Sequence, residues 1–86
     1  MNLITYAWAK AKLGDASGSK RLIQEALQAV DQKDIPYYTV IIYTAGQVEL
    51  TLGNQSKAAD YFKQVMNIDR QGRFGKFAGQ ALSQLS

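Results

Sequence analysis

Cysteine and histidine are both absent from the 86 residues. Their absence excludes disulfide staples, Cys/His zinc sites and thiol or imidazole catalysis. Proline occurs once, beside 47% apolar residues, a globular rather than a disordered balance. Long hydrophobic runs are missing too. The longest, Val40-Ile41-Ile42-Tyr43, falls far short of the ~20 residues that cross a bilayer. No charged start, apolar run and cleavage site opens the chain, so the expectation is a cytoplasmic protein without a signal peptide or membrane partner. Acid is in deficit, with ten Lys and Arg against seven Asp and Glu, a net charge of +3 and a pI near 9.3. The bases are interleaved with acids, and only Arg70, Arg73 and Lys76 cluster without one. That spread describes a solvated surface and disfavours nucleic acid, which calls for concentrated charge with aromatics beside it.

What is present is helical periodicity from end to end. Length permits one domain, and a chain this short buries only ~60–65% of its unfolded surface, so it needs efficient packing or a partner. Apolar spacings of three and four predict five helices. The first runs from about Leu3 to Leu13, with Leu3, Ile4, Ala7 and Ala11 on one face. Gly14 to Ser19 stops it, and Ser17 or Ser19 is expected to cap the second, about Lys20 to Gln32. That helix is expected to bury Leu22, Ile23, Ala26, Ala29 and Val30. Asp34-Ile35-Pro36 breaks it. The third, about Tyr37 to Leu52, carries Tyr38, Ile41, Ile42, Ala45, Val48 and Leu52. Its β-branched stretch Val40 to Thr44 has strand propensity, but the apolar run does not alternate and the helical face continues beyond it. Gly53 ends this helix and Asn54 is expected to cap the fourth, about Gln55 to Ile68, with Ala58, Ala59, Phe62, Val65 and Met66 inward. After Gln71-Gly72 the fifth, about Arg73 to Leu85, shows Phe74, Phe77, Ala78, Ala81, Leu82 and Leu85.

Leu13-Gly14-Asp15 and Leu52-Gly53-Asn54 each join two amphipathic helices, 39 residues apart from Gly14 to Gly53. Short connections imply antiparallel hairpins. With Gly46, Ala58 and Phe62 in register, Ile42, Ala45 and Val65 as apolar substitutes and Gly53 at the turn, the second half resembles a tetratricopeptide repeat. Glu49 stands where that family has an aromatic and Arg70 where it has proline. The first half resembles the family more weakly, through Leu3, Tyr6, Ala7 and Lys10, then Leu22, Ala26 and Ala29 if the loop after Gly14 is about three residues longer. The resemblance implies an all-α, TPR-like stack of five helices in one domain. Residues 1–36 would be a degenerate repeat, 37–72 a clear one and 73–86 a terminal, capping helix. Independently of the family, small Gly46 and Ala58 suit a close helix approach, and Phe62 suits the gap between units.

No catalytic constellation is visible: the acids are scattered and Ser17, Ser19 and Thr44 have no base. Gly72, Gly75 and Gly79 follow no strand, so they form no phosphate loop. The reading is therefore not an enzyme, with no cofactor and no metal. The resemblance implies a protein-interaction scaffold whose first helices line a groove for a peptide or a partner helix. Tyr43, Gln47 and Leu50 lie roughly 130° from the Ile42–Ala45–Gly46 face, with Ile4, Trp8 and Ala11 equivalent on the first helix and Lys12 at the rim. Trp8, Lys12, Tyr43, Gln47 and Leu50 are thus the candidate partner-binding residues; core packing competes for Trp8. Tyr37 and Tyr38 are expected at the inter-unit turn. Lys10 and Glu49, at equivalent positions, are candidates for an ion pair between adjacent first helices. The family's carboxylate clamp is not matched, because its places hold Ile4, Trp8, Gln47, Lys76 and Gln80 and only Lys76 fits. The alternative reading is a homodimer formed through apolar end faces.

Overall fold

Two glycines set the course of the chain. Gly14 and Gly53 adopt φ of +87° and +85°, a left-handed conformation that side chains resist. Each ends a helix in the same way. Asp15 N–H donates to the Lys10 carbonyl at 2.9 Å, and Asn54 N–H to the Glu49 carbonyl at 2.8 Å, the six-to-one bond of a Schellman turn. In the computed structural model, which describes residues 3–31 and 33–85, the helices are α1 (Leu3–Lys12), α2 (Ala16–Ala29), α3 (Ile35–Thr51), α4 (Gln55–Ile68) and α5 (Arg73–Leu85). The chain is all-α, with no strand among the described residues. Val40 to Thr44 lies inside α3. α2 ends at Ala29, short of the expected Gln32, because Val30 takes an extended backbone; the expected burial of the Leu3 side chain lies outside the described residues.

Two helix starts follow carboxylates. Asp15, not Ser17 or Ser19, caps α2: its side chain accepts from Gly18 N–H at 3.0 Å. An acid there also complements the positive end of the helix, so α2 begins earlier than the serines suggest. Ser19 sits inside the helix instead, buried, with Oγ donating to the Ala7 carbonyl at 2.8 Å. Asp34 caps α3, accepting from Tyr37 N–H at 3.4 Å, and α3 starts at Ile35 rather than Tyr37. Pro36 belongs to its first turn, where a missing N–H costs nothing. Asn54 precedes α4 but makes no side-chain cap bond.

The two hairpins coincide at a spacing of 39. α1 and α3 end, and α2 and α4 begin, at positions 39 apart, so the loop after Gly14 is not longer than its counterpart. Burial follows the same offset: Ser19, Ile23 and Ala26 are interior where Ala58, Phe62 and Val65 are. Ala29 is exposed. Matching large apolar residues shifted the expected register, because a serine bonded to a backbone carbonyl serves as a small core residue.

α3 is the centre of the molecule and touches each of the other four helices. Ala45 and Val48 pack with Ala7, Ala11, Leu22 and Ile23 of the first hairpin. Ile42 packs with Ala58, Phe62, Val65 and Ala78, and Ile41 with Ile4 and Ala26. α3 and α4 come together at Gly46, where a β-carbon would lie 2.7 Å from Phe62 Cε1. Phe62 itself is 0% exposed. α5 enters at Gly75, which lies against the Asp69 carbonyl with no space for a side chain. Met66 and Phe77, expected inside, are partly solvent-facing. Among the described residues the α2 and α4 backbones do not approach closely, and Leu27 of α2 and Tyr61 of α4 reach toward the core between them. The molecule measures 32 × 31 × 17 Å, about two helices deep at ~10 Å per helix.

Candidate interaction surface

The five candidate residues fall into two groups with different surroundings. On α1, Trp8 is 40% exposed and the Lys12 ammonium lies 4.0 Å from its ring centroid, a cation–π contact worth about 0.5–1 kcal/mol at an exposed site. Lys10 lies over Tyr6 in the same way at 5.1 Å. Ile4 and Ala11, expected beside Trp8 on the groove, are buried. They occupy the inner face of α1, and Trp8 lies at its edge.

On α3, Tyr43 and Gln47 are bonded to one another, Gln47 Nε2 donating to Tyr43 Oη at 2.9 Å. The Tyr43 ring is not open to solvent on both faces. Its centroid lies 5.8 Å from Phe62, 5.5 Å from Phe74 and 6.3 Å from Phe77. Tilted rings at these distances are favourable. Leu50 is half-buried against the same cluster, and so is Tyr38, whereas Tyr37 is exposed. The exposed member of this aromatic group is Phe77 on α5, 42% accessible, which sequence reasoning assigned to the core. Its position in the apolar stripe of α5 carried no sign that the stripe is wider than the contact.

Polar contacts rearrange the expected pairing of Lys10 with Glu49. Each bridges its own turn. Lys10 Nζ lies 3.3 Å from Asp15 Oδ2, while Asn54 Nδ2 donates to Glu49 Oε1 at 2.9 Å. The same two places hold donor and acceptor in one hairpin, acceptor and donor in the other. Asp15 keeps an oxygen for Gly18 N–H, and the Gly18 amide followed by the Lys10 ammonium holds its carboxyl below the usual aspartate value. Asn54 commits its amide to Glu49, and α4 goes without a side-chain cap.

A second feature escaped the sequence reading. Where the α2 and α4 backbones diverge over α3, there is a cleft of about 340 Å³ lined by Lys20 and Ile23 from α2, Ala45, Val48 and Glu49 from α3, and Lys57, Asp60 and Tyr61 from α4 among others. Glu49 is only 6% exposed. Lys20 Nζ stands 3.8 Å from Glu49 Oε1. Burial, then the negative charge of Glu49, pushes the Tyr61 phenol above its ordinary value. The available signal was an acid directly after Val48 on an otherwise apolar helical face.

No family model, no curated protein and no solved structure matches the chain. Among the described residues no helix is long and apolar enough to cross a membrane.

Proposed function

We propose that the chain is a TPR-like, non-enzymatic interaction module that binds a protein or peptide partner across α1, α3 and α5. The observation that carries this reading is a set of solvent-facing aromatic side chains in contact with their neighbours: Trp8 under Lys12, and Phe77 against Tyr43. Aromatics already in such contacts lose less entropy on binding, and they supply the anchors that dominate interfaces. The hairpins that coincide at a spacing of 39, and the Gly46–Phe62 approach, support the repeat reading. Of the five candidate residues, Trp8 and Lys12 are free to reach a partner directly. Tyr43, Gln47 and Leu50 act by positioning Phe77 and the α3–α5 junction.

A Trp8→Ala, Phe77→Ala double variant tests the reading, since both side chains are half exposed. Pull-down with mass spectrometry is expected to lose wild-type partners while the circular dichroism spectrum is retained. Trp8 is the single tryptophan, so its fluorescence should shift when a captured partner is added back. Unchanged capture by the folded variant would remove this face as the site. Concentration-dependent dimerisation in sedimentation, lost in the variant, would assign the face to a second copy.

A further inference from the structure

The α2–α4 cleft has chemistry of its own. Its floor includes Glu49, a carboxylate almost wholly out of water. A carboxylate offers about four acceptor positions, and burial is costly unless partners replace the lost water. Asn54 supplies one hydrogen bond, to Oε1. Lys20 faces the same oxygen from 3.8 Å, beyond hydrogen-bond range, with 43% of its side chain exposed. Its ammonium is therefore a loose counterion rather than a seated one.

The other lining groups shape the occupant. Ile23, Ala45 and Val48 give an apolar sleeve, and Tyr61 adds an aromatic wall. A volume of about 340 Å³ lies near the lower limit of ~300 Å³ for small-ligand sites. It has room for one long side chain and none for a helix. The charges are two lysines and two acids, balanced in number but not in depth. Lys57 and Asp60 are exposed and Lys20 nearly half so, and water screens them. Glu49 is the buried charge among them, met at Oε1 by Asn54 and, at 3.8 Å, by Lys20, so a better-seated cation at the floor would meet a carboxylate that water screens less than the rim groups.

We propose that this cleft receives a single arginine side chain presented by a partner protein, its guanidinium on Glu49 and its aliphatic stem along Ile23 and Val48. Arginine suits the place better than lysine. Its planar fork pairs with a carboxylate through two bonds, it is more weakly hydrated, and it displaces the loosely held Lys20. The site is separate from the aromatic surface, and neither reading depends on the other.

The test is a titration of 15N-labelled full chain with N-acetyl-arginine-N-methylamide, followed by NMR. The expected result is saturable movement of the Ile23, Val48 and Tyr61 amides. The neutral isostere N-acetyl-citrulline-N-methylamide should bind about tenfold more weakly or worse, as for loss of a charged hydrogen bond. Glu49→Gln should show a similar loss with its amide spectrum otherwise conserved. Lys20→Ala, on the exposed rim, should bind the arginine probe as tightly as wild type or tighter, because a competing cation is gone. The proposal is overturned by any of four results: no saturable shift at tens of millimolar, equal binding of citrulline, undiminished binding by Glu49→Gln, or weaker binding by Lys20→Ala. Movement of the same amides by inorganic phosphate, abolished in Lys20→Ala, would instead make this an anion site.

Discussion

At the scale of single residues, the Gly46–Phe62 contact carries the clearest energetic consequence. Phe62 is fully enclosed, so Phe62→Ala should cost ~3–5 kcal/mol. Total stability for a domain of this length is ~4–13 kcal/mol, and much of it would go. Urea unfolding monitored by circular dichroism measures the loss, and a change below about 1 kcal/mol would contradict the enclosed position. Gly46→Ala sets two effects against each other. Alanine improves helix propensity by about 1 kcal/mol, but its β-carbon would meet Phe62 Cε1 at 2.7 Å and Cδ1 at 2.9 Å. A fully enclosed ring has nowhere to move, so overpacking at ~1–3 kcal/mol wins. The variant should be less stable, and adding Phe62→Leu should recover part of the loss in a double-mutant cycle. Asp15 offers a test in pH. Its folded-state carboxyl is held below the ordinary 3.8 by the Gly18 amide and Lys10. The stabilisation is therefore complete above about pH 5, begins to fade as pH nears the unfolded value and is lost as pH falls through the lowered one. Asp15→Asn retains a capping oxygen without the charge. Its urea midpoint should fall less steeply than that of wild type below pH 4. Phe62 and Gly46 were legible because a large residue beside a small one, at helical spacing, has one packing solution. The capping residue was not, since Asp15, Ser17 and Ser19 are each good N-caps at successive possible helix starts, and what removes Ser19 from that choice is a bond to the Ala7 carbonyl on another helix.

Helices were legible because periodicity is local: α4 and α5 keep the bounds that their spacing predicts. The orientation of α3 was not. It is apolar nearly all round, and its pattern cannot say which side meets α1, α2, α4 or α5. For that reason the pattern did not show that Tyr43 borders Phe62, Phe74 and Phe77, nor that Glu49 lies in a cleft. The turns between elements distinguish two kinds of glycine. Gly53 has φ of +85° and open space around its missing β-carbon. Gly75 lacks a positive φ, but a β-carbon there would overlap the Asp69 carbonyl oxygen. Backbone cannot rotate away as a side chain does. Gly75→Ala should lift the start of α5, and the NMR ring-current shifts within the Tyr43, Phe74 and Phe77 group should collapse. Retained ring-current shifts in that variant would mean that α5 has slack at its start.

For the whole molecule, the arrangement of contacts predicts an order of opening. α3 touches every other helix, whereas α5 touches α4 and, over a smaller area, α3, and its fully buried residues are Gly75 and Ala78. Stability within a protein follows local burial, from fraying segments near zero up to the global value. Releasing α5 leaves the α1–α4 core of Ala7, Ile23, Val48 and Phe62 in place, while releasing α3 removes the helix on which all the others pack. Amide hydrogen exchange under native conditions should accordingly show Ile42 to Val48 opening only with global unfolding. Ala78 to Leu82 should exchange through a smaller, partial opening. Because Tyr43 packs on Phe74 and Phe77, Phe74→Ala should speed exchange in α5 and leave the slowest α3 amides nearly unchanged. Equal protection of α5 and α3, moving together in Phe74→Ala, would show instead that the five helices open as one unit.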